Sequence, residues 1–120
     1  MSIILWWRNR GRDFSKFPAD ENGEVLWQMH KGGDDLSLQR RMDFVFLFPS
    51  EHCARAFQPK AERLGFDVEV SFFAEKRSWD AQCSMDMVPT HQAVSSVEGK
   101  LSEMAALDNG RPDGWGSFAQ

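Results

Sequence analysis

The chain has 120 residues, 42% of them apolar and with ten Phe and five Trp, enough for one domain with a packed core. Its 18 acidic against 14 basic residues give a formal charge of -4, which argues against a broad phosphate-binding surface, because nonspecific nucleic-acid affinity comes largely from basic charge. An acidic protein more naturally meets a basic partner.

In chain order, residues 1–13 read as an N-terminal extension to a single domain over residues 14–120. The short apolar run of MSIILWWRNR, with its positive charge behind it, fits neither a secretory signal nor a membrane span. Trp6 and Trp7 are candidates for an added edge strand or a homodimer contact. Residues 14–41 read as a loop, a short helix carrying Val25, Leu26 and Met29 at helical spacing, and a second loop opened by Gly32-Gly33. In MDFVFLFPSEH, Phe44, Phe46 and Phe48 alternate with Val45 and Leu47, the pattern of a strand covered on both sides. Pro49 ends it, and Ser50 caps a helix that carries Ala54, Phe57, Ala61 and Leu64 as far as Gly65. Pro59 is expected to bend that helix or divide it.

Two alternating runs follow. DVEVSFFAE turns Val68, Val70, Phe72 and Ala74 inward, and DAQCSMDMV turns Ala81, Cys83, Met85 and Met87 inward, with KRSW as a hairpin turn between antiparallel strands. Pro89 and Thr90 then open a helix with Val94, Val97, Leu101 and Met104 on one stripe, ended by Asn109-Gly110. The last segment, DGWGSF, is left for a final strand. The junctions LFPSEH and MVPTHQ begin 40 residues apart, at 47 and 87, and look alike. The chain therefore reads as strand-helix-strand twice, an α+β ferredoxin-like sandwich: a four-stranded antiparallel sheet with two helices on one face, plus an N-terminal helix. In that arrangement the final strand lies at an edge, with Trp115 and Phe118 on opposite faces. Trp115 is expected to fasten the N-terminal helix over the otherwise open sheet face near Val45 and Leu47.

Little in the sequence supports catalysis. His30, His52 and His91 are far apart, none at the spacing of a triad or a metal site, and GKLSEM lacks the upstream glycine of a phosphate loop. Cys53 and Cys83 have neither metal-ligand spacing nor the density of a disulfide scaffold, and read as buried, reduced thiols in a cytoplasmic protein. No catalytic, cofactor or metal residue is assigned, and the expectation is a protein that is not an enzyme. The acidic residues are a better lead: Asp34 and Asp35 follow the glycine pair, Asp86 lies on the polar side of the third strand, and Asp113 precedes Trp115. Singly they read as a turn, a solvated face and a loop. Together they read as a surface matched to an Arg- or Lys-rich partner. The alternative is a ligand- or RNA-binding domain that uses the open sheet face near Trp115. The charge opposes RNA, and no Lys/Arg-Gly-Phe run lies on a central strand.

The segments DENGEVLWQM, GDDLSLQRRMDFVF, LGFDVEV, MVPTH and DGWG, in that order, resemble the regulator of ribonuclease E activity B family over roughly residues 17–119. The resemblance implies a ferredoxin-like fold. It also implies a bacterial regulator that binds ribonuclease E, mainly through the enzyme's noncatalytic Arg-rich scaffold region, and reduces RNA cleavage without cutting anything itself. The expectations are then ribonuclease E as partner, no direct nucleic acid, no membrane, no cofactor, and a monomer or weak homodimer. The partner-binding candidates are Asp34, Asp35, Asp86, Asp113 and Trp115.

Overall fold

The computed structural model describes residues 3–120, so Met1 and Ser2 of the expected extension lie outside the described residues. The elements run α1 (Ile3–Arg8), α2 (Glu21–Lys31), β1 (Arg40–Phe48), α3 (Glu51–Glu62), β2 (Asp67–Phe73), β3 (Ser78–Met87), α4 (His91–Ala106) and β4 (Arg111–Gly116). A 3-10 turn at Ala74–Lys76 joins β2 to β3. The strand order is β2-β3-β1-β4 with every pair antiparallel. This is the ferredoxin-like arrangement, with β1 and β3 central.

Alternation along β1 creates the core. Met42, Phe44, Phe46 and Phe48 point to one face and are buried against Ala54, Phe57 and Ala61 of α3 and Val94, Leu101 and Ala105 of α4. Ser50 caps α3 by accepting the Cys53 N–H at 3.2 Å, and Thr90 caps α4 by accepting the Ala93 N–H at 3.1 Å, so the two similar junctions start their helices in the same way. The helix α3 runs undivided through Pro59. The amide that proline lacks would have bonded the carbonyl of Arg55, and both residues are exposed, where water serves that carbonyl. Leu64 lies beyond the helix and is 37% exposed, so the buried stripe stops at Ala61.

The helix α2 has a small core of its own, formed by Phe17, Leu26 and Trp27, with Met29, Leu36 and Trp115 packed against it. Its buried side is Leu26 and Trp27, while Val25 faces out. It lies beside α4: Asn22 donates to Ser95 Oγ at 3.2 Å and to Glu98 Oε1 at 3.1 Å, and the Asp20 carboxylate meets His91 Nε2 at 2.8 Å. Trp115 joins this contact by donating its indole N–H to Asn22 Oδ1 at 2.8 Å.

That position corrects the expectation for Trp115. It pairs across from Phe44, on the helix-covered face, and not near Val45 and Leu47 on the other. The reason is a bulge. Leu47 faces Arg111 and Phe46 faces Pro112, but Val45 faces Gly114, so Asp113 is an extra residue in β4 and everything after it changes side. Gly114, at φ 121°, supplies the backbone conformation the bulge requires. Phe118 lies past the end of β4 and is 88% exposed, so it does not share the strand with Trp115. The sheet's second face thus carries no helix. It carries instead a strap from the β2–β3 turn: Lys76 forms an ion pair with Asp113 at 2.7 Å, although β2 and β4 are the two outer strands. Leu47 lies on that face and is 1% exposed.

Candidate partner-binding surface

The side chains of the helix-free face follow from register and fall into rows across the sheet. One row is Asp67, Ser84, Asp43 and Gly116; the next is Glu69, Gln82, Val45 and Gly114; the third is Ser71, Asp80, Leu47 and Arg111; and Asp86 stands opposite Arg41 beyond the first. Five carboxylates, Asp43, Asp67, Glu69, Asp80 and Asp86, therefore share one face with two arginines, and Arg41 is already held by Asp67 at 3.0 Å. Two of the acids are oriented by hydroxyls: Ser84 donates to Asp43 and Ser71 to Asp80, each at 2.6 Å. Asp67, Glu69 and Asp86 are exposed. At the β4 edge this face opens into a shallow groove of about 420 Å³ lined by Asp43, Val45, Asp113, Gly114, Gly116 and Phe118. A second groove of about 410 Å³ lies across the strand, between Val25 and Met29 of α2 and the segment Trp115–Ala119.

The residues singled out in the sequence occupy different places. Asp34 is 7% exposed, and Arg40 donates to both its oxygens at 2.9 and 3.0 Å, while the Gln120 N–H donates to it at 3.0 Å. The Arg40 hydrogen bonds hold its carboxyl below the usual range, outweighing burial. That carboxylate is occupied by its own chain. Asp35 is exposed and folds its side chain onto the Ser37 N–H and hydroxyl, at 3.0 and 2.6 Å, which lowers its pKa. Asp86 stands on the acidic face, and Asp113 lies at the bulge bound to Lys76. Trp115 is half-buried on the opposite side. The fold brings Asp86 and Asp113 to the helix-free side and separates both from Asp34, Asp35 and Trp115.

The sequence reading missed Asp43, Asp67, Glu69 and Asp80. Their signal was present as the polar phase of each strand, but which polar residues stand side by side depends on register. No aromatic side chain of the central strands β1 and β3, where an RNA-recognition sheet carries its stacking residues, points to this face.

Asp20, His91 and Ser95 meet at 2.8 Å and 3.4 Å, which invites comparison with a nucleophile, base and orienting acid. Both partners approach the same ring nitrogen, Nε2, whereas a relay needs the acid on one nitrogen and the nucleophile on the other. The cluster holds α2 against α4. Among the described residues no group of His, Cys, Asp and Glu could hold a metal ion, and no helix is long and apolar enough to cross a membrane.

No curated protein matches the chain. The family model described as Regulator of ribonuclease activity B matches residues 19–117, from just before α2 to just past β4, and so takes in the whole sheet, α2, α3 and α4. On that match over most of its length, this chain belongs to the regulator of ribonuclease activity B family.

Proposed function

We propose that the protein binds ribonuclease E at a basic, Arg-rich segment and lowers its cleavage of RNA by occupying that segment, in the bacterial cytoplasm and without a reaction of its own. Membership of a family of ribonuclease regulators supports the class of activity. The observation that carries the mode of binding is the helix-free face, where five carboxylates stand against two arginines. Charge of that density steers a cationic segment to the surface and sets its orientation there. The groove lined by Val45, Gly114 and Asp43 gives one arginine side chain a seat, with its stem along Val45 and its charge toward Asp43. Asp35 and Trp115 lie away from this face and are outside the proposed contact.

The test is a titration of the protein into full-length and scaffold-deleted ribonuclease E at two salt concentrations, following cleavage of a short RNA. Inhibition of the full-length enzyme alone, weakening with salt, is the expected result. The double variant Glu69→Lys/Asp86→Lys should abolish it while leaving the melting temperature near that of the parent. If the reversed variant inhibits as well as the parent, the acidic face is not the contact.

A further inference from the structure

The first 12 residues contain Arg8, Arg10 and Arg12 and no acid, while all 18 carboxylates of the chain follow them. The segment also lies outside the residues that match the family model. It is nonetheless fastened to the domain. The Arg12 side chain is 2% exposed, pairs with Glu24 at 2.6 Å and donates to the carbonyls of Phe17 and Pro18, and the Trp27 indole N–H donates to the Arg8 carbonyl. What this anchor presents to solvent is aromatic. Trp6 is 50% exposed, Trp7 55% and Phe14 50%, with the two indoles edge to face at 4.9 Å. The Arg10 guanidinium lies over both indoles, 5.7 and 5.1 Å from their centroids, and among the described residues no carboxylate pairs with it. In sequence the pair follows Ile3-Ile4-Leu5.

We infer that this N-terminal segment is a peripheral docking site for an anionic lipid surface, with Trp6 and Trp7 seated at the level of the headgroups and Arg10 on a lipid phosphate. Tryptophan favours that depth because its ring is apolar while its N–H keeps a polar partner. A phosphate supplies the anion that the guanidinium lacks. A two-fold contact centred on the indoles would bring two Arg10 side chains together and not supply that anion. A single strand of RNA would use the aromatic faces and the charge, and is an outcome of the test. The expectation of no membrane partner rested on the lack of a spanning segment. An interfacial anchor needs only exposed aromatic area and cationic charge. The carboxylate rows of the sheet lie on the face that bears no helix, whereas the anchor is fixed to α2, so docking through the segment leaves the acidic face in water.

The inference is independent of the proposed partner and is tested on the full chain alone. The protein is sedimented with vesicles of phosphatidylcholine, or of phosphatidylcholine with about a quarter phosphatidylglycerol, at low and high salt. Trp emission and melting temperature are followed alongside. The expected result is binding at least about tenfold tighter to the anionic vesicles, weakened by salt, with a blue shift of the emission. Trp6→Ser/Trp7→Ser and, separately, Arg10→Glu should each lower it by about tenfold with unchanged melting. Three results would overturn the inference: no tighter binding to anionic vesicles at low salt, undiminished binding by the Trp6→Ser/Trp7→Ser variant, or a concentration-dependent dimer or RNA complex that those substitutions abolish in place of vesicle binding.

Discussion

The guanidinium of Arg40 spans both oxygens of Asp34 at 2.9 and 3.0 Å, with the two side chains 1% and 5% exposed, and its remaining N–H groups bond the carbonyls of Asp35 and Leu38. A charge so placed is stabilising only while its partner stays. Asp34→Ala strands a buried guanidinium and should cost about 3–5 kcal/mol in urea unfolding. The acid dependence has a definite sign. The Asp34 carboxyl is held below its ordinary range, chiefly by Arg40, so its contribution is complete above its unfolded value near about pH 4 and is lost as pH falls through the folded value. The stability gap between parent and Asp34→Ala should therefore narrow when thermal melts are taken from about pH 6 down to about pH 3. Cys83 offers a second test at the same scale. Burial pushes its thiol up to about 12, so little thiolate forms at ordinary pH. Alkylation followed by mass spectrometry should leave Cys83 unmodified in the folded protein and modify it in urea. The sequence reading of Cys83 as a buried thiol rested on its place among the inward residues of an alternating strand. The pairing of Asp34 with Arg40, six residues on and in another element, had no such local signal.

Where elements meet, two glycines are required by space. A Cβ on Gly110 would run into the ring of Phe48, and one on Gly23 would run into the backbone carbonyl of Pro18. Gly110→Ala overpacks the seam between β4 and the end of β1 and should cost about 1–3 kcal/mol in chemical denaturation. Phe48→Leu, which removes the ring, should reduce that penalty in the double variant. The seam between α2 and the rest is polar. Trp115→Phe keeps the ring against both cores but deletes the hydrogen bond to Asn22, and should lower stability by about 1 kcal/mol. Most element boundaries were legible, because capping hydroxyls, prolines and apolar period act within a turn or two of the chain. The buried side of α2 was legible only in part. Periodicity picked out Leu26 and Met29, which pack in that core, but also the exposed Val25, and it missed Trp27, 4% exposed, because Phe17 and the distant Trp115 decide how far round the buried side extends.

For the whole molecule, the consequence is an uneven charge distribution built on a modest net charge. Five carboxylates collect on the helix-free face, while Arg8 and Arg10 stand with the exposed tryptophans on the segment fastened to α2. Binding of an Arg-rich peptide should therefore fall steeply with salt, and Glu69→Lys/Asp86→Lys should flatten that slope, as read by titration at several ionic strengths. Arg10→Glu should leave the same slope intact, because Arg10 lies over Trp6 and Trp7 on the segment fastened to α2 and not on a strand of the sheet. The five carboxylates of the sheet were each visible in the sequence as polar positions of alternating strands. Their assembly into rows was not, since it needs the register of three strand pairs at once.

The sequence by itself determined the order and type of the elements between residues 21 and 116, the ferredoxin-like sheet, and the family. These follow from apolar period, caps and turn residues, and from short motifs in a constant order, all of which act locally along the chain. Tertiary structure alone decided which way Trp115 points. In a regular register Asp113 would face Val45 and Trp115 would stand opposite Asp43 on the helix-free face, whereas the bulge at Asp113 turns the indole to Phe44 and Asn22. A strand has a side-chain period of two, so a single bulge exchanges its faces, and only the hydrogen-bonded partner strand reveals that the bulge is there.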